Sequence, residues 1–540
     1  MIGAVTTVPP SRRDFLRSCG TSALALAALE MVPGRFVTRR AEAAEIPPDR
    51  LDDLAGVALE RARSLGASYA DIRINRYRTQ TVLLRATPDW TTGEINNVPS
   101  VTDEERFGFG VRVLCKGAWG FAASHQVDRE TVARMAAEAV AIAKANAPLR
   151  KEPVELAKAP PAKDTYLTPI EKDPFDVPVA DKLALLRQVA DETRKVPGIF
   201  SVSGYLEQRS EERFFASTEG SRIRQRIVQV SPEFSATARD LKARKAKSRT
   251  YRPNAVCGGY EFVQGAGFLD NARRVGEEAV AHLKAPSVAP GKKDLVLLPT
   301  HLGLTIHESI GHSTELDRAL GYEANFAGTS FLTTDKLGRF RVGSEIVNVY
   351  GDRILPRALS TCGYDDDGVK TKRWHLLKEG IFVGYQTTRE QARWIGQEES
   401  TGCSYADSYA SIPFQRMPNV WLEAGKKPMT LDDLVAGVDD GVLIEGRGSY
   451  SIDHQRYNFQ FGGDAFWEIK KGKVGAQIAD VAYQSRTPDF WQACDAIGDE
   501  STWSNVGLNR DGKGEPTQIN AMSHGCAPSR FRGINVIRTE

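Results

Sequence analysis

The chain has 540 residues, 41% hydrophobic and 26% charged, which is ordinary for a soluble globular protein and long enough for one large domain or several. Its 71 basic and 69 acidic residues leave a formal charge of +2, so composition gives no electrostatic footprint for nucleic acid and excludes a dominantly basic or acidic binding module. The seven cysteines (Cys19, Cys115, Cys257, Cys362, Cys403, Cys494, Cys526) show no C-x-x-C pairing, and their spacing reveals no disulfide.

Ser11-Arg12-Arg13-Asp14-Phe15-Leu16-Arg17 is a twin-arginine signature, followed by a weakly apolar run from Ala23 to Leu29 and a cleavage-like Ala41-Glu42-Ala43. The apolar run is too short to span a bilayer. Residues 1–43 therefore read as a bacterial export signal removed from the mature protein. Export of this kind carries folded proteins to the periplasm or beyond, with any metal already loaded.

The rest reads as α+β in three segments: an N-terminal α+β domain (44–146), a central α+β segment (147–290) and a strand-rich C-terminal domain (291–540). Leu51, Leu54, Ala58, Ala62 and Leu65 recur at helical spacing before Gly66. Two strands follow, Tyr69 to Tyr77 and Thr79 to Arg85. Phe107 to Ser124 reads as a hairpin turning at Lys116-Gly117, with Trp119 and Phe121 placed in the core, and Asp128 caps a helix to about Ala145. Residues 147–176, rich in proline and alternating charge, read as a linker or surface crossing. A helix from Val179 to Lys195, strands between Ile199 and Arg239 and a helix from Leu269 to Leu283 complete an N-terminal half that is not a doubly wound nucleotide fold. Gly258-Gly259 and Gly265-Ala266-Gly267 lack the strand-loop-helix spacing of a phosphate cradle and read as turns. After residue 312, short strands dominate. Asp365-Asp366-Asp367 reads as a solvated acidic turn, since it lacks the EF-hand spacing of a hard-cation site.

Asp294 to Leu298 reads as a short buried strand broken by Pro299-Thr300, and a helix from about His301 carries His307-Glu308-Ser309-Ile310-Gly311-His312 in its body. Two neutral imidazoles bind a zinc ion without cancelling its charge, and the adjacent carboxylate of Glu308 can take a proton from water activated there. The zincin spacing H-E-x-x-H sets its histidines four apart; here they are five apart. Positions i and i+5 of a regular α-helix lie about 140° apart against about 40° for i and i+4, so His312 would be misaimed. A π-type bulge of one extra residue returns both rings to one face, and Gly311 can accept unusual dihedrals there.

This segment resembles the metal helix of the TldD/PmbA family of metallopeptidases, and further stretches follow the family in the same order. They are Gly110 to Ala122, Ser408 to Asn419, and Gly512 to Gln518 followed by Ser523-His524-Gly525. The resemblance spans nearly all of the chain after residue 45. It implies a metallopeptidase holding one metal ion per subunit, acting on unfolded or short peptides that lie extended in an enclosed cleft, as an added strand. It also implies a dimer with a second copy or a paired homologue. The family has been discussed in connection with DNA gyrase as well, a link the balanced charge does not favour.

A catalytic zinc site needs a third protein ligand. In the resembled family it is a cysteine just before the Gly-Lys-Gly-type loop, and here that position is Asp511. Three explanations compete: Asp511 replaces the thiolate with the same charge and without its oxidation liability; Cys526 or His524 supplies the ligand; or the site is degenerate. The carboxylate would make the site harder and widen the choice from Zn²⁺ towards Mn²⁺ or Fe²⁺. The expected mechanism has His307, His312 and Asp511 as ligands and Glu308 as general base. His524 reads first as an ordinary hydrogen-bonded loop histidine and second as an aid to the oxyanion, and Arg416 first as part of a structural ion pair and second as the holder of a substrate carboxylate. The rivals are a non-catalytic peptide-binding or partner subunit and an exported metal-dependent hydrolase of another substrate.

Overall fold

The computed structural model describes residues 47–89 and 91–539; the export-signal reading of residues 1–43 falls outside them. The described chain opens with helix α1 (Pro48–Ser64), which buries Leu54, Ala58 and Ala62 on one face and stops at Gly66, where φ is +93°. Strands β1 (Tyr69–Pro88) and β2 (Ile95–Cys115) pair antiparallel along their length, and β2 turns at Lys116-Gly117 (φ 52° and 74°) into β3 (Ala118–Ser124). Two positive φ values in succession give the turn a twist that matches the right-handed twist of the strands. Asp128 caps α2 (Arg129–Asn146) by accepting from the Thr131 amide at 2.9 Å.

In the central segment, the short strand β4 (Lys163–Leu167) precedes α3 (Val179–Arg194) and a hairpin of β5 (Ile199–Ser217) and β6 (Arg222–Asp240). Strands β7 (Lys245–Tyr251) and β8 (Val256–Cys257) also pair with β6, and α4 (Phe268–Lys284) follows. The order β3-β2-β1-β5-β6-β4 makes one sheet of what the sequence divides between two segments.

The C-terminal part is built on a second sheet, of nine strands. Its spine is β9 (Gly291–Leu297), parallel to Asp440–Glu445 and antiparallel to Ser529–Arg538. Its edge on the side of Ser529–Arg538 is the short strand Tyr450–Ile452. The apolar side chains of β9, Leu295 and Leu297, pack in one core with Leu302, Ile306 and Ile310 of the following helix. This α+β arrangement puts the helix that leads to His307 and His312 directly after the central strand of the sheet.

Two expectations are corrected. The stretch from Tyr69 to Arg85 lies within one strand of 20 residues, Tyr69–Pro88. Its polar middle is satisfied within the fold, where Arg78 pairs with Asp103 at 2.8 Å and Gln80 accepts from the buried Lys182. Trp119 packs against the small core of Tyr69, Leu114 and Val154 as expected, and with Phe121, likewise half-buried, it also lines a cavity of about 650 Å³ with Tyr322, Trp394 and Phe414. Asp365-Asp366-Asp367 is no solvated turn, for the three are 1%, 4% and 5% exposed. Arg112 of β2 pairs with Asp367 and with Asp71, each at 2.8 Å, while amides of Ser404 and Ala406 donate to Asp365 and Asp366. The acidic run is thus the counter-charge for arginines arriving from a distant sheet, which its own sequence does not announce.

Removing one partner of a buried ion pair strands the other. Arg112→Ala is expected to destabilise the protein by about 3–5 kcal/mol, read by chemical denaturation, where a solvated turn would lose about 1 kcal/mol or less.

Candidate metal centre

Helix α5 (Pro299–Ile306) starts with proline in its first turn and buries Leu302 and Ile306. It then winds into a π turn over His307–Gly311, with the His312 amide bonded to the His307 carbonyl, and ends in one 3₁₀ turn at His312–Thr314. The extra residue in the turn brings the imidazoles of His307 and His312 to a centroid separation of 4.4 Å. Wider winding disturbs the regular ladder of backbone bonds, and hydroxyls intervene. Ser313 Oγ donates to the Ser309 carbonyl at 2.7 Å, Thr314 Oγ1 to that of Ile310 at 2.9 Å, and Gln386 Nε2 to that of Gly311 at 2.6 Å. Gly311 has ordinary right-handed dihedrals (φ −52°, ψ −62°). Its lack of a side chain serves a close approach, because a Cβ there would meet Met417 Sδ at 2.7 Å.

Hydrogen bonding fixes the protonation of both rings. The His524 Nδ1 lies 3.0 Å from the Val420 carbonyl, which can only accept, so His524 carries its proton there and its Nε2 is an acceptor. His307 Nδ1, 2.9 Å from that Nε2, must therefore donate. His312 Nδ1 donates in the same way to Glu315 Oε2 at 2.9 Å. Burial holds His312 and His524 well below the ordinary histidine pKa. Each ligand-side Nε2 is left with a lone pair aimed into the site.

Those lone pairs face Asp511, whose Oδ1 lies 3.6 Å from each Nε2. Asp511 sits on the strand Gly507–Lys513, just after a bulge where pairing with Gln518–Ser523 slips between Leu508 and Asp511. Burial opposes ionisation of Asp511, and the Arg416 guanidinium 3.2 Å from its Oδ2 favours the carboxylate. Two lone pairs and a carboxylate aimed at one point are satisfied together by a cation between them. Ligand bonds of about 2.0–2.2 Å at tetrahedral angles separate ligand atoms by about 3.3–3.6 Å, so the donor set fits a small divalent ion.

Glu308 offers an oxygen within 4.8 Å of the histidine donors. Its Oε2 accepts from Arg456 Nη1 at 2.7 Å, and Oε1 has no protein partner among the described residues. The site opens into a cavity of about 600 Å³ lined by Leu304, Phe326, Tyr450, Ile452 and four arginines besides the groups named.

His524 and Arg416 both take the structural alternative, behind the site. His524 is fully buried, does not line this cavity, and stands behind His307, so it does not reach an oxyanion. Arg416 is 1% exposed and donates to the Asp511 backbone at 2.6 Å, to its Oδ2 at 3.2 Å and to the Gln518 carbonyl at 2.7 Å. It orients the carboxylate and is closed to substrate. The Cys526 thiol donates to the Pro299 carbonyl at 3.8 Å, and burial pushes its pKa up. Like His524, it is off the cavity wall. Sequence reading missed Glu315 and Lys513, both fully buried, with Lys513 Nζ donating to Glu315 at 3.2 Å and to Asp317 at 2.9 Å. A lysine flanked by glycines two residues past Asp511 was the only local signal.

Family models for the PmbA/TldA metallopeptidases match three consecutive stretches: domain 1 at 70–143, the central domain at 172–285 and the C-terminal domain at 290–537. The chain belongs to the TldD/PmbA family. Among its relatives in the family, a protein named metalloprotease from Methanothermobacter thermautotrophicus is 28% identical over 80% of this chain and 88% of its own length. A zinc metalloprotease TldD homologue from Saccharolobus solfataricus is 23% identical over 84% and 94%. The solved structure of TldE from Thermococcus kodakarensis shares the fold, with TM-score 0.66 and 17% identity over 90% of this chain and 99% of that one. This TldD/PmbA chain is thus similar to metalloproteases along most of its length.

Elemental analysis of purified protein checks the ligand set. Asp511→Ala is expected to abolish stoichiometric metal and Cys526→Ala to leave it intact. His524→Ala, which removes only the acceptor behind His307, is expected to weaken metal affinity about 10- to 100-fold.

Proposed function

We propose that the chain is a metal-dependent peptidase that hydrolyses unfolded or short peptides, with zinc as the natural ion and His307, His312 and Asp511 as its ligands. The observation that carries this reading is the pair of Nε2 lone pairs converging on the Asp511 carboxylate beside Glu308. An ion bound there supplies Lewis acidity, polarising a peptide carbonyl and making a neighbouring water easier to deprotonate. Glu308, held by Arg456 through one oxygen, accepts the proton of the attacking water on the other and returns it to the leaving amine. His524 and Glu315 keep the imidazoles in the ligating tautomer throughout, and Arg416 keeps Asp511 from rotating away.

The edge strand Tyr450–Ile452 lies on the cavity wall and pairs on one side with Asn458–Gly462. Its other side suits an extended peptide added as a strand, a mode that takes its affinity from main-chain bonds and so tolerates many sequences. Phe326 lines both this cavity and the aromatic one that holds Trp119 and Phe121. Assembly with a second copy or a paired homologue, and export through the twin-arginine pathway, belong to the same reading. Export rests on Ser11-Arg12-Arg13-Asp14-Phe15-Leu16-Arg17.

Hydrolysis of a panel of unstructured peptides tests the proposal, with and without a chelator. Chelation is expected to abolish turnover and metal to restore it. Glu308→Gln should retain its metal and lose about 10²- to 10⁴-fold in rate; unimpaired turnover in that variant removes Glu308 as the base. A metal-free, inactive wild-type protein that still binds peptide would favour the partner-subunit reading.

A further inference from the structure

Four arginines line the metal cavity: Arg318, Arg447, Arg456 and Arg510. Three have a carboxylate of their own. Arg318 pairs with Glu315, Arg456 with Glu308 at 2.7 Å, and Arg510 with Glu207 at 2.5 Å. Arg447 forms no ion pair among the described residues. Its Nη2 donates to the Gly507 carbonyl at 2.8 Å. Glu233, whose charge acts on it, is taken by Arg252, and Glu445, which lines the same recess, by Arg249 at 2.7 Å. Burial, reinforced by the Arg252 charge, lowers the Arg447 pKa to about 10, which still leaves it charged at neutral pH.

A half-buried guanidinium without a counter-charge is costly to maintain, because the neighbouring protein replaces its water without balancing its charge. Its position makes the cost informative. Arg447 follows the strand Asp440–Glu445 after the turn at Gly446 and stands three residues before Tyr450 of the edge strand. It lines both the metal cavity and an adjoining recess of about 70 Å³, which Arg252 also lines. Water occupies about 30 Å³ per molecule, so that recess has room for a group the size of a carboxylate. Guanidinium groups hold carboxylates through two parallel bonds.

We propose that Arg447 is a specificity residue that receives a carboxylate of the bound peptide, and that the cleft therefore selects anionic peptides. The carboxylate is either an aspartate or glutamate side chain or the free C-terminus. This assignment rests on reading the cavity as a peptide cleft, but it concerns binding, and binding can be measured without turnover.

The experiment uses fluorescence anisotropy with the metal-loaded Glu308→Gln protein and one labelled, unstructured octapeptide in four forms. These carry a central Glu or Gln and end in a free acid or an amide. At least one carboxylate form is expected to bind roughly 10- to 100-fold more tightly than the fully amidated Gln peptide, and the form that does so identifies the source. Adding Arg447→Ala should erase the preference, and Arg447→Lys, which keeps charge without the fork, should retain part of it. Equal affinity for all four peptides overturns the proposal, as does a preference that survives Arg447→Ala. If Arg447→Ala does not fold, the four-peptide comparison still decides whether a carboxylate is selected, and Arg447→Lys decides whether the guanidinium selects it. Carboxylate preference in a wild-type protein that cuts none of the peptides sinks the peptidase reading alone. Hydrolysis of acid and amide forms with equal affinity sinks this proposal alone.

Discussion

The candidate centre depends on two hydrogen bonds made on the side of each imidazole that faces away from it. His307 donates from Nδ1 to His524, and His312 donates from Nδ1 to Glu315. A neutral imidazole has one proton, so committing it at Nδ1 leaves Nε2 as a ligand. The chain behind His307 runs through His524 to the Val420 carbonyl and contains no ionisable acid. The chain behind His312 ends on a carboxylate. Burial opposes ionisation of that carboxylate, yet Arg318, Lys513 and His312 keep Glu315 well below its ordinary range. The two histidines are therefore held by different chemistry to the same end.

The surrounding structure serves these contacts. Trp491 donates from its indole to Ser309 at 2.9 Å inside the π turn. The strand carrying Asp511 is tied from behind by Arg416 and from the side by Arg510, which reaches Glu207 on β5 of the other sheet. Lys513, without exposed surface, joins the Asp511 strand to Glu315 and Asp317 just past the histidines. A buried lysine between two carboxylates costs desolvation, and here the return is geometric: it fixes the distance between two segments almost two hundred residues apart in the chain. The same logic accounts for the acidic run Asp365-Asp366-Asp367, which locks the N-terminal sheet to the C-terminal part through Arg73, Arg112 and Arg213.

Local chemistry was legible wherever a residue acts on its immediate neighbours. Asp128 as a helix cap, Lys116-Gly117 as a turn with positive φ, and the one-residue overwinding between His307 and His312 all follow from geometry within a few positions. Where partners come from afar, local reading failed in a consistent direction. Asp365-Asp366-Asp367 looked solvated, and the polar middle of β1 looked like an interruption. Each error underestimates burial, because a polar side chain is placed inside only when its partner is known.

By itself the sequence determined the five-residue spacing of His307 and His312, which needs one extra residue in the turn to put both rings on one face, and the carboxylate between them. Those are properties of covalent order and of a helical turn. Only the tertiary structure decided that Asp511 faces both Nε2 atoms at 3.6 Å, that His524 backs His307, and that Arg447 stands on the cavity wall without an ion pair among the described residues. Each of these is a relation between strands and helices far apart in the chain, set by sheet pairing and by the packing of two sheets' worth of buried charge.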